Sequence, residues 1–223
     1  MLTRSEMSRY IDSTLLRPDA TAEEIRRLCE EAARYRFFAV CVNPGRLELA
    51  ARCLEAEEVK LCTVVGFPLG ANATVIKVKE AETAMEAGAT ELDAVMNIGL
   101  FKDGNYRAVE EEVQGLARLV HDRGGILKII IETGYLNPEE IRLATRLVAA
   151  GGADFVKTCT GFGPRGVAGD DIIYIRSSAP PSLKIKASGG IESYQQALGL
   201  IELGADRIGT SHARSIISEL MEI

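Results

Sequence analysis

The sequence predicts an α/β protein, a single (β/α)8 TIM barrel, and three observations carry that prediction. Eight short β-branched runs recur along the 223 residues, and helical stretches separate them, an order that produces a parallel sheet. Eight is also the number at which such a sheet closes on itself. The chain is 47% hydrophobic, enough for a full core, and barrels of this kind occupy roughly 200 to 250 residues as one domain. No linker, low-complexity tract or composition shift interrupts the alternation. The expected organisation is therefore one barrel domain over residues 1–223, with a short N-terminal extension before the first strand.

The elements follow in order. Strands are expected at 11–15, 39–42, 61–65, 92–96, 127–131, 155–157, 183–187 and 207–210. After the first, Thr21-Ala22-Glu23-Glu24 has the form of a capping box, and Ile25, Leu28, Cys29, Ala32 and Ala33 then share one helical face. Asn137-Pro138-Glu139-Glu140 and Ser193-Tyr194-Gln195-Gln196 open two further helices in the same manner. Gly88, Gly152 and Gly204 stand where helices end, as C-cap glycines do, and each is followed by alanine and then a strand. A last helix is expected from about Ala213.

That Gly-Ala-strand unit is a weak internal repeat with a functional consequence. Five residues after the glycine, its three copies carry Asp93, Lys157 and Gly209. Equivalent positions lie at similar height in a barrel, near the C-terminal mouth where barrel enzymes place their active sites.

Two strand-like segments carry lysine among apolar residues, Phe155-Val156-Lys157-Thr158 and Lys184-Ile185-Lys186-Ala187. Burying an ammonium is costly unless it is paired or used. Nearby cations push a lysine toward the neutral amine that forms a Schiff base with a carbonyl. The size of that push matters, because an ordinary lysine is only about 0.04% free amine at pH 7. The plainer alternative is that both lysines snorkel or pair with carboxylates such as Asp93 or Glu132. Lys184 shares a strand face with Lys186, one pleat deeper, and is expected to be a buried ion-pair lysine.

Glycine-rich turns follow the last two strands, at Ser188-Gly189-Gly190 and Gly209-Thr210-Ser211-His212, each ahead of a helix. Backbone N–H groups at a helix N-terminus attract anions, and barrels place phosphate sites after strands seven and eight. The run from Gly161 to Gly166 is either a closing loop or a mobile one.

Other function classes are disfavoured. The net charge is -6, with no basic run, so neither a nucleic-acid face nor a membrane-binding patch is expected. No segment reaches the roughly 18 apolar residues of a membrane span, and the first residues lack the apolar stretch of a signal peptide. Five cysteines in no metal-ligand spacing fit a reducing, cytoplasmic compartment. With only two histidines besides, no metal or other cofactor is expected.

The same residues resemble the deoxyribose-phosphate aldolase family from about residue 11 to 215. The resemblance rests on Ile11-Asp12-Ser13-Thr14-Leu15-Leu16, Cys41-Val42-Asn43-Pro44, Val65-Gly66-Phe67-Pro68-Leu69-Gly70, Glu91-Leu92-Asp93 and Ile130-Ile131-Glu132-Thr133. It rests equally on Phe155-Val156-Lys157-Thr158-Cys159-Thr160-Gly161-Phe162, Lys186-Ala187-Ser188-Gly189-Gly190-Ile191 and Arg207-Ile208-Gly209-Thr210-Ser211. It implies a lyase that reversibly cleaves 2-deoxyribose 5-phosphate into glyceraldehyde 3-phosphate and acetaldehyde without a metal. By motif, Lys157 is the Schiff-base lysine, Lys186 the neighbouring ammonium and Asp93 the carboxylate of a proton relay. Gly161, Gly189, Gly190, Gly209 and Ser211 would contact the phosphate. Asp12 and Thr14 would complete the substrate-binding set from the opposite side of the mouth, holding a water, although a strand-terminal hydrogen bond explains them as well. A homo-oligomer, dimer or tetramer, is the expected assembly. Two other readings remain open at this point, a different imine-forming lyase and a non-catalytic phosphate-binding barrel.

Three departures stand out. Ser13 replaces a histidine often found between Asp12 and Thr14, and His212 stands where a second small hydroxyl residue is usual. The sequence stops at Ile223, whereas some members carry a longer tail whose terminal tyrosine reaches the active site.

Overall fold

The computed structural model describes residues 2–220, so the tail expectation, which concerns the end at Ile223, falls outside them. Eight parallel strands close into a barrel in strictly sequential order. They are β1 (Ile11–Leu15), β2 (Ala39–Val42), β3 (Lys60–Val65), β4 (Glu91–Val95), β5 (Ile126–Ile130), β6 (Phe155–Lys157), β7 (Lys184–Ser188) and β8 (Arg207–Thr210). Four of them match the sequence expectation residue for residue, and the other four shift by about one. The shifts come from the hydrogen-bond ladder rather than from apolarity. Lys60 is exposed, for example, yet it pairs with Ala39 and so begins β3.

The helices form a layer outside the strands: α1 (Arg4–Ser8), α2 (Ala22–Tyr35), α3 (Leu47–Cys53), α4 (Thr74–Glu86), α5 (Ile98–Lys102), α6 (Tyr106–His121), α7 (Pro138–Ala150), α8 (Gly169–Arg176), α9 (Tyr194–Glu202) and α10 (Ala213–Ser218). All three capping boxes read from the sequence form, at Thr21/Glu24, Asn137/Glu140 and Ser193/Gln196. Each satisfies orphan N–H groups at a helix start, a contribution of about 1 kcal/mol per cap. Gly88, Gly152 and Gly204 take positive φ just past their helices, as expected. The N-terminal extension is itself helical: Thr3 and Glu6 cap α1, and the Tyr194 hydroxyl accepts a hydrogen bond from the Leu2 backbone N–H.

Two apolar cores result, and they differ in place. The larger fills the space between strands and helices, with Ile11, Val40, Leu92, Leu127, Ile185 and Ile208 pointing outward. The smaller lies inside the barrel and contains Leu16, Cys41, Cys62 and Val64, with Phe67 packed on it. Barrel interiors are usually filled by branched apolar side chains. Here β1 and β4 to β8 instead project charged groups inward.

Candidate active site

The inward positions of β1 and β4 to β8 carry Asp12, Glu91, Asp93, Lys128, Lys157, Lys186 and Arg207, all buried. Period-two alternation puts Asp93 above Glu91 on β4 and Gly209 above Arg207 on β8. A buried charge needs a partner, and each of these has one or more. Lys157 Nζ and Lys186 Nζ both lie 2.7 Å from Asp93 Oδ2, and Lys128 Nζ donates to Asp93 Oδ1 at 2.9 Å. Lys186 Nζ is 2.6 Å from Asp12 Oδ2, close in distance though not aligned as a hydrogen bond. Arg207 donates to Asp12 through Nε at 2.9 Å and reaches Glu91 Oε2 at 3.2 Å. Lys128 Nζ is 2.6 Å from Glu91 Oε2.

These contacts set the charge states. Burial alone would raise the Asp93 carboxyl, but Lys128, Lys157 and Lys186 outweigh it and hold it well below the usual carboxylate range. Burial likewise opposes ionisation of Asp12, and the Lys186 and Arg207 cations overcome it, bringing Asp12 from 3.8 to about 2. Lys186 would lose its proton on burial, yet Asp12 and Asp93 hold it as an ammonium, well above the ordinary lysine value. Lys128 is raised in the same way, with Asp93 its strongest partner.

An acid-stability prediction follows. A carboxyl whose folded value lies below its unfolded value contributes stability that is complete above the unfolded value and is lost as pH falls through the folded one. For Asp12 the loss falls between about pH 4 and pH 2 and amounts to about 2 kcal/mol. Urea unfolding at stepped pH should show that decline, and a stability unchanged down to pH 2 would contradict it.

Above the charged layer opens a cavity of about 650 Å³ at the C-terminal mouth. Of the seven charged groups just described, Lys157 is the one that lines it. Thr14, Gly161, Gly189, Gly190, Gly209 and Ser211, all singled out in the sequence, line it too. Gly189 sits at φ +95°, a left-handed conformation that suits glycine, and a Cβ there would approach Cys159 Cβ to 3.0 Å. Gly209 has a different reason: a Cβ there would come within 3.0 Å of Lys186 Cε, so the glycine leaves room for that lysine.

The loop after β6 is tied down at both ends. Glu132 Oε2 accepts from the Thr160 N–H at 3.1 Å and from the Thr160 hydroxyl. Val167 N–H donates to Gly189 O at 3.0 Å, and Arg165 pairs with Asp171. Phe162 meets Phe67 edge-to-face, with ring centroids 5.4 Å apart, at the rim.

Several sequence expectations need correction. Asp12 does not share the mouth with Thr14. One pleat below it, Asp12 is sealed between Lys186 and Arg207, and it does not line the cavity. Lys184 is not a buried ion-pair lysine. It begins β7 at the opposite, N-terminal end of the barrel, is exposed, and stands 5.6 Å from the centre of the Phe155 ring. Glu132 pairs with neither lysine, since its carboxylate holds Thr160. His212 occupies the N-cap position of α10 without capping it, and its Nδ1 lies 3.2 Å from Ser211 Oγ on the cavity wall.

The sequence reading missed Glu91, Lys128 and Arg207 as members of the charged layer. The signal was there: each is a charged residue in an apolar strand, the pattern that singled out Lys157. It also missed that Cys41, Cys62 and Asp93 place ligand-type atoms within 4.8 Å of one another. The spacing in sequence gave no hint, because β2, β3 and β4 bring them together. A cation there would have to displace three lysine side chains from Asp93.

A family model described as DeoC/LacD family aldolase matches residues 7–218. The deoxyribose-phosphate aldolase of Thermococcus kodakarensis is 48% identical over 218 residues, 97% of each chain. Among solved structures, one described as "QR15, an Aldolase" superposes with a TM-score of 0.91 at 44% identity, covering 96% of this chain and 95% of the other. The deoxyribose phosphate aldolase of Aeropyrum pernix, described as a unique tetrameric structure, gives 0.92 at 37% identity, covering 97% and 92%. The chain belongs to the DeoC/LacD family of aldolases.

Proposed function

We propose that this chain is a lyase that reversibly cleaves 2-deoxyribose 5-phosphate to glyceraldehyde 3-phosphate and acetaldehyde through a Schiff base on Lys157, in one barrel domain over residues 1–223. One observation carries the reading: among the described residues, Lys157 alone of the buried charged groups opens into the cavity, facing the glycine turns suited to a phosphate.

The chemistry follows from those placements. The Lys157 amine adds to the C1 aldehyde of the open-chain sugar, and loss of water gives an iminium. Removal of the C3 hydroxyl proton turns C3–O into a carbonyl and breaks the C2–C3 bond, whose electron pair becomes the C1–C2 double bond while the C=N π pair moves onto nitrogen. Glyceraldehyde 3-phosphate leaves, an enamine remains, protonation at C2 restores the iminium, and water releases acetaldehyde. Asp93 lies 2.7 Å from both Lys157 and Lys186, so it connects the two amines and relays protons between them. Because Asp93 is fully buried, protons reach substrate through Lys157 or through a water in the cavity. Lys186 supplies the neighbouring positive charge. Asp12 holds Lys186 from below, while Thr14 faces the substrate. The Gly161, Gly189, Gly190, Gly209 and Ser211 segment hosts the phosphate, partly at the start of α9.

The tetrameric Aeropyrum relative supports a homo-oligomer, dimer or tetramer. Among the described residues no helix is long and apolar enough to cross a membrane, and the five cysteines are free, which supports a cytoplasmic enzyme.

Two assays test the reading. Release of acetaldehyde from 2-deoxyribose 5-phosphate tests the reaction, and its absence would reject it. Ser211→Asp tests the phosphate pocket by placing a carboxylate against the anion. The Michaelis constant for the phosphorylated sugar should rise by at least about tenfold, the equivalent of about 1.4 kcal/mol. Unphosphorylated deoxyribose should hardly change. Equal losses on both sugars would show that the phosphate sits elsewhere.

A further inference from the structure

Beneath the proposed active site the buried charges form a closed circuit. It runs from Arg207 to Asp12, Lys186, Asp93, Lys128, Glu91 and back to Arg207. Cations and carboxylates alternate around it, three of each, so the ring is electrically balanced. Lys157 stands outside the circuit as a seventh group, with Asp93 Oδ2 its one ion-pair partner among the described residues. A proton on Lys157 therefore adds one uncompensated charge to a buried set that is balanced without it.

Glu91, Lys128 and Arg207 make up the lower half of the ring. None of them lines the cavity, so none touches substrate. Their position still matters electrically, because salt screens buried charges poorly and a unit charge several ångströms away shifts a proton equilibrium substantially. We propose that Glu91, Lys128 and Arg207 are positioning residues whose balanced charges set the pH at which Lys157 becomes a free amine. This rests on the imine reading of Lys157 given above.

Lys157 touches Asp93 on β4, and the other titratable groups buried inside the barrel come from most of its strands: Asp12 on β1, Cys41 on β2, Cys62 on β3, Glu91 on β4, Lys128 on β5, Lys186 on β7 and Arg207 on β8. Burial keeps Cys62 a neutral thiol, which donates to Asp93 at 3.2 Å and adds no charge. On the solvent side, His212, the rim carboxylates Glu24, Glu31 and Glu192 and the rim cations Arg17 and Arg27 line the cavity, where water and salt screen them.

Charge balance gives the sign of each substitution. Glu91→Gln leaves the ring at +1, which disfavours a further ammonium, so the amine appears at lower pH. Lys128→Met leaves it at -1, which favours the ammonium, so the amine appears at higher pH. The double variant restores neutrality. A loss of packing, in contrast, has no preferred sign and is not undone by a second lesion.

The experiment measures the rate of borohydride trapping of acetaldehyde on Lys157 against pH, in the wild type, the two single variants and the double variant, with circular dichroism to verify folding. The trapping midpoint should fall by about one pH unit in Glu91→Gln, rise by about one unit in Lys128→Met, and return to the wild-type value in Glu91→Gln/Lys128→Met. Glu91→Gln keeps the side-chain shape, so its downward shift decides the matter even where Lys128→Met does not fold. Unmoved midpoints, shifts of the same sign, or an uncorrected double variant would overturn the inference while leaving the imine reading intact. A wild type that traps no acetaldehyde at Lys157 would overturn both.

Discussion

Lys157→Arg is expected to reduce cleavage of 2-deoxyribose 5-phosphate to the uncatalysed background while the protein stays folded. Guanidinium stays protonated at any working pH and is not nucleophilic, so no imine forms. The positive charge next to Asp93 remains, so the buried partner is not stranded. That separation of effects is informative. Loss of activity with an unfolding midpoint close to wild type assigns the residue to the chemistry rather than to the core. Residual turnover at a tenth of the wild-type rate would mean that another amine forms the imine.

Asp93→Asn is expected to act on both activity and stability. Asp93 is the one carboxylate shared by Lys128, Lys157 and Lys186, and asparagine leaves three lysine side chains facing an uncharged amide. Removing one partner from a buried ion network costs about 3 to 5 kcal/mol. Loss of the proton relay should lower turnover by about 10²- to 10⁴-fold. Urea unfolding and steady-state kinetics on the same preparation test the two effects. A variant of wild-type stability would show that the ammonium groups find other partners, and full activity would remove Asp93 from the proton path.

Much of the barrel was legible in the sequence because short apolar strand runs alternate with helical stretches, several of them opened by a side-chain cap. Thr21, Asn137 and Ser193 announced their helices through local hydrogen bonds that depend on nothing distant. The upper layer of the site was legible for a related reason. Asp93, Lys157 and Gly209 occupy the same place in a repeated Gly-Ala-strand unit, and one repeat geometry puts them at one end of the barrel. The lower layer depends instead on how strands stagger as the sheet closes. Lys186 pairs in register with Arg207, and Ser188 with Gly209, so the glycine lies above the arginine and opens a path for the lysine. No local pattern encodes that stagger. Lys184 was misplaced for the same reason: its strand face was right, but β7 starts at Lys184, so the face opens to solvent there. Asp12 and Thr14 share a face as well, and a single pleat separates a buried ion pair from the cavity wall.

Mass spectrometry after borohydride reduction in the presence of acetaldehyde locates the reactive amine, since reduction converts the imine into a stable N-ethyl lysine. One ethyl group is expected per chain, on the peptide containing Lys157, with parallel loss of activity. Ethylation at Lys184 or Lys186 instead, or no ethylation at all, would contradict Schiff-base chemistry at Lys157.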